Sequence, residues 1–134
     1  MTRVIVVADG GPTLEALTRT LHCLKGVDIV RHLSARPPVE LIRRLEPDLI
    51  FIDELAFPSR CLEAVVRARH AAPEAAIVVR AARPDAAWLP RALEAGADAV
   101  LPAVADERTL ELVLGEVLAA RTPALETIDP LLAA

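Results

Sequence analysis

Pro47-Asp48-Leu49-Ile50-Phe51-Ile52-Asp53 sets an unbroken apolar run between two acids and stops at Asp53. A continuous apolar run of this length predicts a strand buried on both faces, as in a parallel sheet covered by helices. Ligands of open parallel sheets bind outside the carboxyl ends of the strands, which is where Asp53 would stand.

Working outward, four more segments read as strands: Arg3–Ala8, Val27–Val30, Ala75–Val79 and Asp98–Leu101. Between them lie helical patterns. Leu14, Leu17, Leu21 and Leu24 recur at helical spacing from Pro12 or Thr13 up to Gly26. Val39, Leu41, Ile42 and Leu45 follow the break at Pro37-Pro38. Leu62, Val65, Val66 and Ala68 run to about His70, with Ser59 as the expected N-cap. Arg83-Pro84-Asp85 opens a helix containing Trp88, Leu89 and Leu93 and ending at Gly96, with Pro90 near its first turn. Asp106 caps a last helix through Leu110, Val113, Leu114, Val117 and Leu118. Strand and helix therefore alternate five times, which predicts a parallel sheet with helices on both faces.

The chain has 134 residues, 54% of them hydrophobic, enough for one domain with one core. We expect a domain over residues 1–121 and a short tail or linker remnant over 122–134, carrying Leu125, Ile128, Leu131 and Leu132. The apolar runs fall far short of the roughly 20 residues that span a bilayer, and the amino-terminal run is too short for a signal peptide. The expectation is a soluble, cytoplasmic protein with no membrane partner. A formal net charge of −4 disfavours a nonspecific phosphate-binding surface. Phe51, Phe57 and Trp88 are the whole aromatic complement, too few for base stacking, so no direct nucleic-acid contact is expected. Cys23 and Cys61 have no metal or redox spacing and are expected to be buried free thiols. Gly10-Gly11-Pro12 lacks the spacing of a phosphate-binding loop, and no nucleophile has a neighbouring base, so no catalytic residue is assigned.

Three segments, PDLIFID (47–53), PEAAIVV (73–79) and RALEAGADAVL (91–101), resemble in order and separation the receiver domain of two-component response regulators. The resemblance covers residues 2 to about 121. It implies a flavodoxin-like (βα)5 doubly wound sheet, strand order 2-1-3-4-5. In that family an acid pair after the first strand and the aspartate ending the third strand bind a divalent cation, and the latter aspartate takes a phosphoryl group from a histidine kinase. A hydroxyl ending the fourth strand and a lysine ending the fifth hold the phosphoryl oxygens.

By that resemblance Asp53 occupies the phosphoacceptor position and Asp9 matches the second acid of the pair, but Ala8 stands for the first. Arg80 replaces the switch hydroxyl, Val100 the switch aromatic and Ala103 the lysine. A one-residue slip at the lysine position gives Pro102 or Val104, neither of them a cation. Mg2+ binding by Asp9 and Asp53 is therefore expected to be weak or absent, because hard-cation affinity depends on the number of carboxylates. Arg80 has two readings: a guanidinium that pairs bidentately with Asp53 or Asp9 and locks the site, or a solvent-facing side chain. Glu54 reads as a solvated loop acid, His22, His32 and His70 as surface or half-buried histidines, and Arg60, Arg67 and Arg69 as a solvated helix face. Trp88 is open between core packing and an interface anchor.

The expected function is an atypical receiver with impaired or absent phosphorylation, acting through protein–protein contacts and dimerising through its fourth helix, fifth strand and fifth helix. A histidine kinase and an output domain are the partners this implies. Two alternatives stay open: a Mg2+-dependent phosphoacceptor using Asp53, and the receiver-like half of an ANTAR-type or DNA-binding transcription regulator, loosely suggested by IDELAFPSR.

Overall fold

The β-branched runs become the interior strands of one parallel sheet. The computed structural model of the chain describes residues 2–8, 12–33, 36–53, 60–82 and 86–121. Its elements alternate as β1 (Thr2–Val7), α1 (Pro12–His22), β2 (Val27–Leu33), α2 (Val39–Leu45), β3 (Leu49–Asp53), α3 (Cys61–Ala71), β4 (Ala76–Ala81), α4 (Trp88–Ala95), β5 (Ala99–Pro102) and α5 (Glu107–Arg121). The strand order is β2-β1-β3-β4-β5, with every pair parallel. This is the doubly wound, flavodoxin-like arrangement that the alternation and the resemblance imply.

Period-two alternation divides the interior strands between two cores. Ile5, Val7, Ile50, Ile52, Ile77 and Val79 meet Ile42 of α2, Ala92 of α4, and Cys61, Ala64, Val65 and Ala68 of α3. On the opposite face Val4, Val6, Leu49, Phe51, Ala76 and Val78 meet Leu17 and Leu21 of α1 and Leu110, Leu114 and Val117 of α5. Strands covered on both faces have no solvated side to carry polar residues, so β3 is buried from end to end.

Several boundaries move from their sequence-based positions. β2 continues past Val30 to Leu33; as an edge strand it carries exposed Arg31 and His32, and its pairing with β1 shifts register between Val4 and Ile5. β4 runs on through Arg80 to Ala81 because Arg80 pairs in register with Asp53. α1 stops at His22, short of Gly26, whose positive φ of 77° turns the chain into β2. α3 has Arg60 as its N-cap residue, with no capping side-chain bond. α4 starts at Trp88, which leaves Pro90 inside its first turn.

Two expectations about side chains are corrected. Cys61 is buried, but Cys23 is exposed, because α1 ends just before it and releases it from the helix's inner face. The α3 arginines are not a solvated face: Arg60 is exposed, whereas Arg67 and Arg69 are half-buried and bind backbone carbonyls. Arg67 donates through Nε and Nη2 to Pro37 O at 3.2 and 3.0 Å. Arg69 donates to Gly96 O (3.1 and 2.8 Å), Ala75 O (2.7 Å) and Pro73 O (3.0 Å), and pairs with Asp98 Oδ2 at 2.8 Å. Carbonyls left over where α3 and α4 end need donors, and the five-donor guanidinium reaches several at once. His22, His32 and His70 are exposed, as expected. Asp9, Glu54, Ser59, the 83–85 segment and the tail 122–134 lie outside the described residues. Among the described residues, no helix is long and apolar enough to cross a membrane.

Candidate functional site

Asp53 and Arg80 are brought together by strand register. β3 and β4 pair as Leu49↔Ala76, Phe51↔Val78 and Asp53↔Arg80. Leu49, Phe51, Ala76 and Val78 face α1 and α5, so two residues further on the side chains of Asp53 and Arg80 leave the sheet on that same face. They do so at its carboxyl edge, where the strand order reverses around β1 and β3.

The guanidinium closes on the carboxylate as a fork. Arg80 Nε donates to Asp53 Oδ1 at 3.2 Å, and Nη2 donates to Oδ2 at 2.8 Å. Asp53 is fully buried and the Arg80 side chain is 18% exposed. Two parallel charge-assisted bonds to one planar acceptor are the strong form of an ion pair, and arginine is the side chain whose geometry supplies them. Of the two readings of Arg80, the structure has the bidentate one, with Asp53 as acceptor.

The rest of the expected constellation is apolar or withdrawn. Ala8 is buried, and its N–H donates to Leu33 O at 3.0 Å. Ala103 donates its N–H to Ala81 O at 2.9 Å and offers a methyl where a cation would stand. Pro102 ends β5 opposite Ala81, and Val104 is 90% exposed. Val100 is half-buried and packs with Trp88 against the core beneath α3 and α4. Trp88 therefore takes part in core packing through its buried portion.

The described residues around Asp53 do not assemble a divalent-cation site; Asp9, the other expected ligand, lies outside them. Both Asp53 oxygens accept from a cationic side chain, Ala8 contributes no oxygen from its side chain, and no group of three metal-ligating side chains converges among the described residues. A hard cation needs several free carboxylate or carbonyl oxygens, and Arg80 competes for the first of them.

A feature with no signature in the sequence lies just beneath the pair. A cavity of about 60 Å3 between α1, α5 and the sheet is lined by Thr20, Phe51, Arg80, Leu101, Glu107 and Leu110, among others. Thr20 and Glu107 come from distant elements, and only packing places them near Arg80.

No protein-family model matches the sequence, and no curated protein does. Solved structures do. The chain is similar to a two-component response regulator of the LuxR family from Aurantimonas sp. SI85-9A1, with a TM-score of 0.79 and 23% identity over 95% of this chain and 94% of that one. It is similar to a CheY-like response regulator receiver domain protein from Methanospirillum hungatei JF-1, with a TM-score of 0.77 and 19% identity over 90% and 96% of the two chains. The fold is that of a receiver domain. A third receiver, from a sensor histidine kinase of Pseudomonas aeruginosa PAO1, has a TM-score of 0.74 and 17% identity over 88% of this chain and 98% of that one, and its crystal structure has a magnesium ion coordinated in the active-site cleft. In the receiver fold described here, the third-strand aspartate is held by an arginine from the fourth strand.

Proposed function

We propose that this chain is an atypical receiver whose Asp53 is withheld from phosphoryl transfer by Arg80, and which acts by binding other proteins. The observation that carries the reading is the bidentate Arg80–Asp53 pair around a fully buried carboxylate. In-line attack on a phosphoryl donor needs a free carboxylate oxygen and a cation to neutralise the transferred group, and here both oxygens are already engaged. Val100 and Ala103 give the site no switch aromatic and no lysine, so a phosphorylated Asp53 would lack its usual answering groups.

The interaction surface in this reading is the α4–β5–α5 face, with a second copy of the chain, or a protein carrying the output, as partner. Leu93 of α4, Leu112 of α5 and Val104 in the turn between β5 and α5 are exposed apolar side chains, and Trp88 at the start of α4 is the candidate anchor. An upstream histidine kinase and a downstream transcription-regulating domain, DNA-binding or ANTAR-type, belong to the same reading as partners in two-component signalling. The setting we propose is the cytoplasm, with no catalytic activity and no bound cofactor required.

Incubating the protein with Mg2+ and acetyl phosphate, or with beryllofluoride, tests the proposal. We expect no adduct on Asp53 by intact mass. An adduct in the wild-type protein that disappears in Asp53→Asn would sink it. The second reading, a Mg2+-dependent phosphoacceptor, draws support from the magnesium-bound Pseudomonas receiver of the same fold. Arg80→Thr separates the two. If the arginine is the lock, this variant gains Mg2+ affinity; unchanged binding would argue against the lock.

A further inference from the structure

We infer that Arg80 has a second position, on Glu107, and that its choice between Asp53 and Glu107 couples the site to the start of α5. This inference rests on the reading of the Arg80–Asp53 pair as a closed site. Arg80 and Glu107 line the same cavity of about 60 Å3, on the face of the sheet covered by α1 and α5. At several times the roughly 10–15 Å3 that one water needs, the cavity leaves open space beside the guanidinium. Asp53 engages Nε and Nη2, which leaves Nη1 with no partner among the described residues. The Glu107 carboxylate likewise has no hydrogen bond or ion pair among the described residues, although it borders a cavity that contains a cation.

Charge decides the choice. Asp53 is the better acceptor while it is ionised, because it is buried, pre-aligned by strand register and reached by a fork. If the negative charge of Asp53 is removed, or is covered by another cation, the half-buried guanidinium loses its counter-ion. Among the described residues, Glu107 is the carboxylate left on that cavity. It is the first residue of α5, and Leu110 of the same helix also lines the cavity. A guanidinium that moves to Glu107 therefore pulls on the first turn of α5 directly.

Thermal unfolding of a set of variants tests this. Glu107→Gln is expected to leave the wild-type Tm unchanged within error. In the Asp53→Asn background the same substitution should lower Tm by about 3 °C, the effect of a pair between the half-buried Arg80 and the exposed Glu107 in a domain of this size. In Asp53→Asn/Arg80→Met the loss should vanish. Asparagine keeps the shape of the aspartate, and the Arg80 side-chain Nε–H resonance gives a second readout: it should respond to Glu107→Gln in Asp53→Asn and not in wild type. Additive effects of Asp53→Asn and Glu107→Gln would overturn the second position. A Glu107 effect of the same size in the wild-type background would also overturn it, since that reports a fixed bridge and not a choice. Either outcome leaves the acetyl phosphate result untouched, so failure here is distinct from failure of the lock.

Discussion

Asp53 lies directly across from Arg80 on the neighbouring strand, and the guanidinium takes both carboxylate oxygens at 3.2 and 2.8 Å. A charge removed from water this completely is tolerated because its partner is in place, and the two side chains stand or fall together.

Arg80→Ala takes the counter-ion from the buried Asp53 carboxylate. We expect a loss of roughly 3–5 kcal/mol in denaturant unfolding at neutral pH. Asp53→Leu combined with Arg80→Met should recover most of that loss, because two well-packed apolar groups carry no desolvation cost. If the single and double variants are equally unstable, the site is held by packing and not by the pair.

Arg69 ties the end of α3 to the end of α4, and it contacts Gly96 through both its nitrogens and its stem. Arg69→Ala leaves several carbonyls short of a donor and should cost roughly 2–4 kcal/mol. Lysine at 69 should restore part of this, since it keeps the charge and loses the fork. Gly96→Ala should cost roughly 1–3 kcal/mol by a separate route. Its φ is 125°, and a methyl there would sit 2.7 Å from Arg69 Cβ.

The backbone N–H of Thr109 donates to Asp106 Oδ1 at 2.8 Å and, with the Thr109 hydroxyl, holds the Asp106 carboxyl below its ordinary value of 3.8. A carboxyl lowered by folding contributes stability that is present above its unfolded pKa and lost as pH falls through the lowered value. The stability gap between wild type and Asp106→Ala should therefore be full above about pH 5 and shrink below about pH 4. Urea midpoints across that range check it, and a gap that widens on acidification would contradict the capping role.

The two cysteines should react on different timescales. Cys23 is exposed and Cys61 is buried against the core. A thiol reagent at neutral pH should modify one thiol per chain rapidly in the native state and the second on unfolding. Cys23→Ser should abolish the fast phase.

How much of this was legible in the sequence follows from the range of the interactions involved. The helix N-cap at Asp106 is local, written within a few residues, and could be read directly. The α3 arginines look alike in sequence, yet Arg60 is solvated while Arg67 and Arg69 satisfy carbonyls on other elements. Cys23 and Cys61 likewise differ by where a helix stops and which face it buries, and neither is set by the residues next to them.

By itself the sequence determined the alternation of five strands and five helices, the burial of the three apolar strands on both faces, and the position of Asp53 at a carboxyl edge. These follow from apolar runs, period and turn residues, all of which act over short distances along the chain. Only the tertiary structure decided that Arg80 faces Asp53 and not the solvent, and that Glu107 shares a cavity with it. Strand register and helix docking join residues tens of positions apart, and the two faces of a strand are equivalent until packing chooses between them.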